Sequence, residues 1–410
     1  MKFFKFKNRA LFLITVAATG AVAGAAVWAF FFAMNMGLNL LWHVLPQQYG
    51  FAAFPLVACL VGGVVIGLYT KKFGDLPEEL PAVMQQVKET GRYRYDNLGR
   101  SAGAALLPLI FGASVGPEAG MTGVLAGLCS WVGDRMKRFG ADFQELTRLG
   151  MSAALSTIFA APLFGFVAPL TGDPERDDEI VFPKKAKIVL YLIAIIGALT
   201  PFVLLQQAFG TAGGMFHFSG MEIGARELAW AVPLLAVGAL GGWLYHAFSK
   251  ATVSLSKFFG SRVVLRAVLV GLVLGIAGMV LPFSLFAGEH QMKEISSLWI
   301  DMGAVMLLAT GVLKLFLTPL CINCGWKGGS FFPTIFAGVC LGYGIAALSG
   351  CDPVFCVAIT AAAVCGGVMR NALMAALLLI LCFPVTALPV LFAAAVIGAS
   401  VPLPKAWKAE

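Results

Sequence analysis

The chain has 410 residues, of which 59% are hydrophobic and only 12% charged. A soluble domain carries about 25% charged residues, so a cytosolic enzyme, a disordered chain and a secreted disulfide scaffold are excluded. The net charge of +8 is small for this length and does not point to nucleic acid. A polytopic membrane protein remains.

Met1 to Arg9 is basic and Ala10 to Met34 is apolar. The apolar run is too long for the core of a signal peptide. It predicts an uncleaved first helix with its basic end in the cytoplasm. Further apolar runs cover 51–70, 101–133, 149–170, 186–208, 229–248, 263–287, 302–320, 331–349, 353–369 and 372–403. Several fall short of the ~20 residues that span a bilayer. Gly112, Gly116, Pro117, Pro162, Gly329 and Pro333 interrupt them. Irregular backbone at membrane depth is tolerated only where it is buried or lines a cavity. The expectation is therefore a set of broken helices that end inside the membrane.

The stretches 71–100, 134–148 and 173–187 read as charged loops. Lys71 and Lys72 close the second run, and with Arg92, Arg94 and Arg100 they read as cytoplasmic charge. Attraction of anions towards an entry is a secondary role for the arginines. His43 and His290 read as interfacial or loop residues. Only Pro402 to Glu410 follows the last run, so no soluble regulatory domain is expected there. The nine cysteines lie mostly in apolar runs and read as buried thiols. Cys321-x-x-Cys324 lacks partners at zinc or redox spacing, so no metal and no cofactor are expected. No nucleophile–base pair stands at catalytic spacing either, so no enzyme is expected.

The two halves echo each other. VGGVVIGLYTKKF from Val61 and VGALGGWLYHAF from Val237 share a glycine-rich stretch and a Leu-Tyr pair. Ser114-Val-Gly-Pro117 and Ser330-Phe-Phe-Pro333 share an S-x-x-P frame, and Thr157–Val167 resembles Gly367–Leu377. Matched broken segments in two halves point to a site near the bilayer midplane.

A helix that starts inside a membrane leaves its first N–H groups without internal partners, at the positive end of its dipole. Such an end attracts an anion without a basic side chain. It also attracts it weakly enough for the ion to leave. Three segments offer such ends: Phe73-Gly-Asp-Leu-Pro-Glu78, Gly112-Ala-Ser-Val-Gly-Pro-Glu118 and Gly328-Gly-Ser-Phe-Phe-Pro333. Ser114 and Ser330 read as caps through their hydroxyls, with amides that face the ion. Glu78, Glu79 and Glu118 read as acids that complement helix dipoles, and Asp75 as a solvated cap or a vestibule carboxylate.

In this order the three segments resemble the anion-site motifs of the CLC family of chloride channels and proton-coupled chloride transporters, G-S-G-I-P-E, G-[K/R]-E-G-P and G-x-F-x-P. The third is complete at Gly329, Phe331 and Pro333; the second keeps Gly116-Pro117 and the first Pro77-Glu78. Phe159–Gly165 and Ala287–Met292 also look family-like, and the resemblance covers about residues 10–400.

It implies an all-α integral membrane fold, a two-fold inverted repeat with broken, re-entrant helices in a single domain over 1–405, with approximate halves 10–180 and 186–403. It implies a homodimer with a pore in each subunit. It places the anion against Gly74, Ser114, Val115, Gly116, Gly329, Ser330 and Phe331.

The departures from the family matter. Val115 falls where the family has its gating glutamate, and Thr171-Gly172 where it has the inner proton-relay glutamate. Gly74 replaces the central serine, and the terminal helix with its tyrosine has no counterpart. The expected function is passive permeation of chloride or a related small anion without proton coupling, in a bacterial inner membrane with both termini cytoplasmic. The alternatives are an anion/proton antiporter that uses Glu118 or Glu175, and a non-conducting scaffold or sensor.

Overall fold

The computed structural model describes all residues except 1–8, 75, 78, 79, 91, 137–142, 159–183, 211–215, 381 and 405–410. The helices are α1 (Arg9–Asn39), a π turn (Leu40–Val44), α2 (Leu45–Tyr49), α3 (Phe54–Phe73), α4 (Leu80–Thr90), α5 (Leu98–Ile110), α6 (Glu118–Met136) and α7 (Phe143–Ile158). They continue as α8 (Lys184–Phe209), α9 (Ala225–Phe259), α10 (Val263–Val280), α11 (Gln291–Asn323), α12 (Phe331–Ser349), α13 (Pro353–Met369), α14 (Ala372–Leu379) and α15 (Leu388–Ser400). Among the described residues, seven helical segments are long and apolar enough to cross a membrane. The chain is a multi-pass integral membrane protein of all-α class.

Two runs are subdivided and a third lies in a kinked helix. The run 101–133 breaks into α5 and α6 at 111–117, where Gly112 adopts φ +86°. The run 372–403 breaks at Pro384 into α14 and α15. The run 302–320 belongs to α11, which kinks at Gly303 (φ 73°, ψ 161°). The expected loop at 71–100 is corrected: α4 lies within it. Val83 and Val87 are four residues apart, so one helical face is apolar, and both are buried against Ala126 and Met151.

The chain forms two compact units. One comprises Met1–Asn35, Glu78–Ala102 and Ala119–Gly214. Its core joins Val16 of α1, Leu149 and Ala153 of α7, and Leu190, Ala194 and Ala198 of α8. Gly197 lies against the Ala17 backbone, where a Cβ would stand 2.6 Å from the carbonyl oxygen. In this unit Arg92 pairs with Asp134, which also accepts from the Tyr95 hydroxyl at 2.9 Å.

The other unit comprises Met36–Pro77, Gly103–Glu118 and Met215–Glu410. Its core joins Leu315, Ala337, Leu341 and Val364, with Val237, Tyr245 and Phe248 packed against them. Helices in lipid gain little from hydrophobicity alone, so close backbone approach through small residues supplies their association. α3 and α10 meet in this way. A Cβ on Gly63 would stand 2.7 Å from the Ala267 oxygen, one on Gly275 would stand 2.6 Å from Leu56 Cα, and one on Gly271 would collide with the Cys59 carbonyl.

This contact yields a test. Gly271→Ala is expected to destabilise the purified protein by about 1–3 kcal/mol through overpacking. Gly99→Ala, at a helical position with open space, is expected to be neutral or stabilising by up to ~1 kcal/mol. Thermal unfolding in detergent, followed by the loss of the monodisperse species, compares the two.

Candidate functional site

The site lies in the second unit, where two irregular strips of chain meet. The first leaves α5. Ala113 N–H still donates to the Pro108 carbonyl at 3.0 Å, and the chain then runs to Pro117 before α6 begins at Glu118. Gly112 takes a left-handed φ beneath Trp42, where a Cβ would stand 2.8 Å from the indole ring. Trp42 Nε1 donates to the Ile110 carbonyl at 2.8 Å and so holds the end of α5.

The second strip leaves α11. Gly325 turns the chain at φ 102°, and buried Trp326 anchors it through Nε1 to the Ala267 carbonyl at 2.9 Å. The strip then passes Gly328 and Gly329 to the start of α12.

The strips are tied by a reciprocal pair of backbone bonds. Gly116 N–H donates to the Gly329 carbonyl at 2.8 Å, and Gly329 N–H donates to the Gly116 carbonyl at 2.7 Å. This isolated antiparallel bridge brings the N-termini of α6 and α12 together. The Glu118 carboxylate lies between them, and the residue is 1% exposed. Its Oε1 accepts from the Phe331 amide at 2.6 Å. The amides of Phe332 and of Glu118 itself lie within bonding reach of the same carboxylate. A Cβ on either Gly116 or Gly329 would collide with that carboxyl group. The two glycines therefore make room for it, and the helix dipoles favour its charge.

The expected site residues separate on this geometry. Gly116, Gly329, Ser330 and Phe331 meet at the bridge. Ser114 and Val115 precede it; Val115 is fully buried, and a Cβ on Gly328 would stand 2.6 Å from its own Cβ. Gly74 does not start a helix. It is the exposed C-cap of α3, and its N–H donates to the Thr70 carbonyl at 2.9 Å. The cap reading of the two serines is corrected as well. Ser330 holds the N-cap position without a side-chain capping bond, and the Ser114 hydroxyl instead faces Thr318 Oγ1 at 3.4 Å. The S-x-x-P frames are not equivalent in the fold. Pro117 precedes α6, whereas Pro333 is the third residue of α12; the glycines of the bridge are the true counterparts. Asp75, Glu78, Glu79, Thr171, Gly172, Glu175 and the stretch 159–165 lie outside the described residues.

Two residues escaped the reading of the sequence. Lys314 is fully buried in α11, and its ammonium donates to the carbonyls of Ser284 at 3.4 Å, Leu285 at 2.9 Å and Phe286 at 2.7 Å. It also lies 4.9 Å from the Phe336 ring centroid. It fixes the connection 281–290, which reaches back to the first strip through Phe286 N–H to the Gly112 carbonyl at 3.3 Å. Glu289, in the same connection, is 4% exposed. A lone lysine inside an apolar run was the available signal, because ionisable groups at membrane depth are costly and mark function.

This architecture, in which broken helices of a multi-pass protein aim their N-termini at one buried point, defines an anion-transport fold. The sequence pattern of the family described as "Voltage gated chloride channel" matches residues 62–402, and the chain belongs to that family. It is 28% identical over 324 residues to the putative ion-transport protein YfeO of Shigella flexneri, covering 74% of this chain and 71% of that protein. It is 27% identical over 327 residues to the protein of the same name from Escherichia coli O7:K1, with the same coverage. Among solved structures it is similar to a CLC-type fluoride/proton antiporter (TM-score 0.69, 18% identity, 94% of this chain and 93% of that one). It is also similar to a slow cyanobacterial Cl-/H+ antiporter (TM-score 0.68, 19% identity, 94% and 93%).

The cradle makes a thermodynamic prediction. Gly329→Ala is expected to destabilise the protein by about 1–3 kcal/mol because its methyl meets the Glu118 carboxyl. In a Glu118→Ala background most of that loss is expected to vanish, leaving a coupling of about 0.5–3 kcal/mol in a double-mutant cycle. Denaturant unfolding of the four proteins in one detergent measures it.

Proposed function

We propose that the chain carries a small anion, chloride foremost, through a pore in each subunit, and that the Glu118 carboxylate competes with the anion for its seat. One observation carries this reading: Glu118 Oε1 accepts from the Phe331 amide at 2.6 Å, between the two bridge glycines. A carboxylate and a halide seek the same partners, unpaired N–H groups at a helix start. The seat comprises the Phe331 amide and the Ser330 turn, walled by Gly116 and Gly329 and flanked by Ser114 and Val115. Val115 cannot ionise, so the gating role passes to Glu118, three residues on.

The leading form is passive permeation. Protonation removes the charge that binds Glu118 to the amides and so releases the seat, and flux rises as pH falls. Thr171-Gly172, which the sequence resemblance aligns with the family's inner proton-relay glutamate, carries no acid, and this favours the absence of fixed coupling. A second reading, anion/proton antiport, is favoured by the place of Glu118 itself, since the group that must leave for the anion is one that carries a proton. The solved neighbours described as antiporters support that reading by likeness of fold. Residence in a bacterial inner membrane and assembly as a homodimer are part of the proposal.

Proteoliposomes loaded with chloride decide between the readings, with anion efflux and internal pH followed together. Passive permeation is expected to give efflux without uphill proton movement; antiport drives protons against their gradient, and a scaffold gives neither. Glu118→Gln is expected to raise flux at neutral pH by about tenfold, equivalent to ~1.4 kcal/mol of relieved competition, and to abolish its rise with acid. A Glu118→Gln protein with unaltered, acid-activated flux sinks the gate.

A further inference from the structure

The 281–290 connection carries a buried acid that the anion seat does not use. Neither carboxylate oxygen of Glu289 accepts a hydrogen bond among the described residues, although its side chain is only 3% exposed. Its one ion-pair neighbour is His290, whose Nε2 stands 3.5 Å from Oε1 and whose side chain is 51% exposed. Buried polar groups without partners are rare and call for an account. The same connection holds another such atom, Ser284 Oγ, and the first residue of α11 a further one, Gln291 Oε1. Hydrophobic packing does not explain a strip of chain that buries the unmet polar atoms of both Ser284 and Glu289. Nor is the strip loosely placed: Lys314 clamps three of its carbonyls, and Met292 N–H donates to the Gly288 carbonyl at 2.9 Å.

Glu289 also feels the seat. It lies outside the spanning helices, between α10 and α11. Burial first, and the charge of Glu118 second, push its carboxyl up to about 8. The charged groups around it are Glu118 from α6 and His290 at the start of α11. Glu294, one turn into α11, acts on His290, and Lys314 is spent on the carbonyls.

We propose that Glu289 and His290 form a proton relay that loads Glu118 from the aqueous surface. The inference rests on the gate reading of Glu118. Glu289 gives its carboxyl proton to the Glu118 carboxylate, by side-chain rotation or through a water, and becomes a carboxylate. Glu118, now neutral, loosens from the Phe331 amide. An imidazolium at His290 then gives its Nε2 proton to Glu289 and is left as the neutral Nδ1–H tautomer. A flip of the half-exposed ring then turns the bare Nε2 to water, which protonates it, and the ring returns as the imidazolium. Buried beside the bridge, Glu118 has no exposed face of its own from which to take a proton. Glu289 is a positioning and relay group; it does not touch the anion.

The test is kinetic. Full-length protein in liposomes, loaded with a chloride-quenched dye, is shifted from neutral to mildly acidic pH on one side at a time by stopped flow. Glu289→Gln is expected to slow the rise of flux by about 100-fold, the scale of a lost proton-transfer group, while the final flux falls far less. Glu289→Asp is expected to recover most of the rate, and His290→Asn to slow it when the acid is on the side that His290 faces. Glu118→Gln separates the two ideas, because its flux no longer responds to acid if the gate reading holds. A pH-insensitive Glu118→Gln beside a Glu289→Gln that rises at the parental rate overturns the relay and leaves the gate. A Glu118→Gln that still responds overturns the gate and the relay with it. Equal losses of rate and final flux in Glu289→Gln indicate a structural role and also overturn the relay. If Glu289→Gln does not fold, His290→Asn decides, and a parental rate from both sides rejects the proposal.

Discussion

Helix starts buried in a membrane must find partners for their first amides, and much of this site follows from that requirement. No water competes for these groups in the bilayer core, and each unmet one costs several kcal/mol. Here Gly116 and Gly329 spend their amides on each other's carbonyls, and the next amide of α12 goes to Glu118. The carboxylate is thus part of the polar satisfaction of the fold. On the gate reading proposed above, the same group that completes the closed structure leaves it before an anion enters, so stability and conduction would be opposed at one atom.

The fold was largely legible in the sequence. Composition gave the class, and the glycine and proline interruptions gave the broken helices, because those residues act locally on the backbone. Gly112 illustrates it: its left-handed φ and the indole above it exclude a side chain. α4 was missed because charged residues crowd the stretch 71–100 on either side of it, and only packing reveals that Val83 and Val87 are buried. The site was half legible. Motif order brought Gly116, Gly329 and Phe331 into one place. Glu118, read as an ordinary dipole acid of α6, in fact reaches the neighbouring helix start, a contact 213 positions distant in sequence. Register explains the rest: the matched S-x-x-P frames suggested an equivalence that the glycine bridge shifts, and Gly74 proved to end a helix.

Lys314 gives the site its rear support. A buried ammonium is tolerated in apolar surroundings only with its donors met, and here carbonyls of three consecutive residues, together with the Phe336 ring, meet them. Those carbonyls belong to the connection that continues through Ala287 to Gly288 and Glu289. Gly288, at φ 102°, comes so close to Phe336 that a Cβ would stand 2.5 Å from that side chain. The lysine therefore holds the connection against α12.

The bridge between Gly116 and Gly329 has a mechanical consequence. Two short, reciprocal bonds tie the strip that ends at Pro117 to the strip before α12 within the second unit, so neither strip shifts at Gly116 or Gly329 without breaking them. Widening the passage by helix displacement would break both bonds at membrane depth. Rotation of one side chain breaks neither. The economical motion is thus a swing of a few ångströms by a carboxylate inside a stationary frame. If Glu118 gates an anion as proposed, ions are distinguished by how well they fit a seat of fixed span, and the closed and open states share one backbone outline.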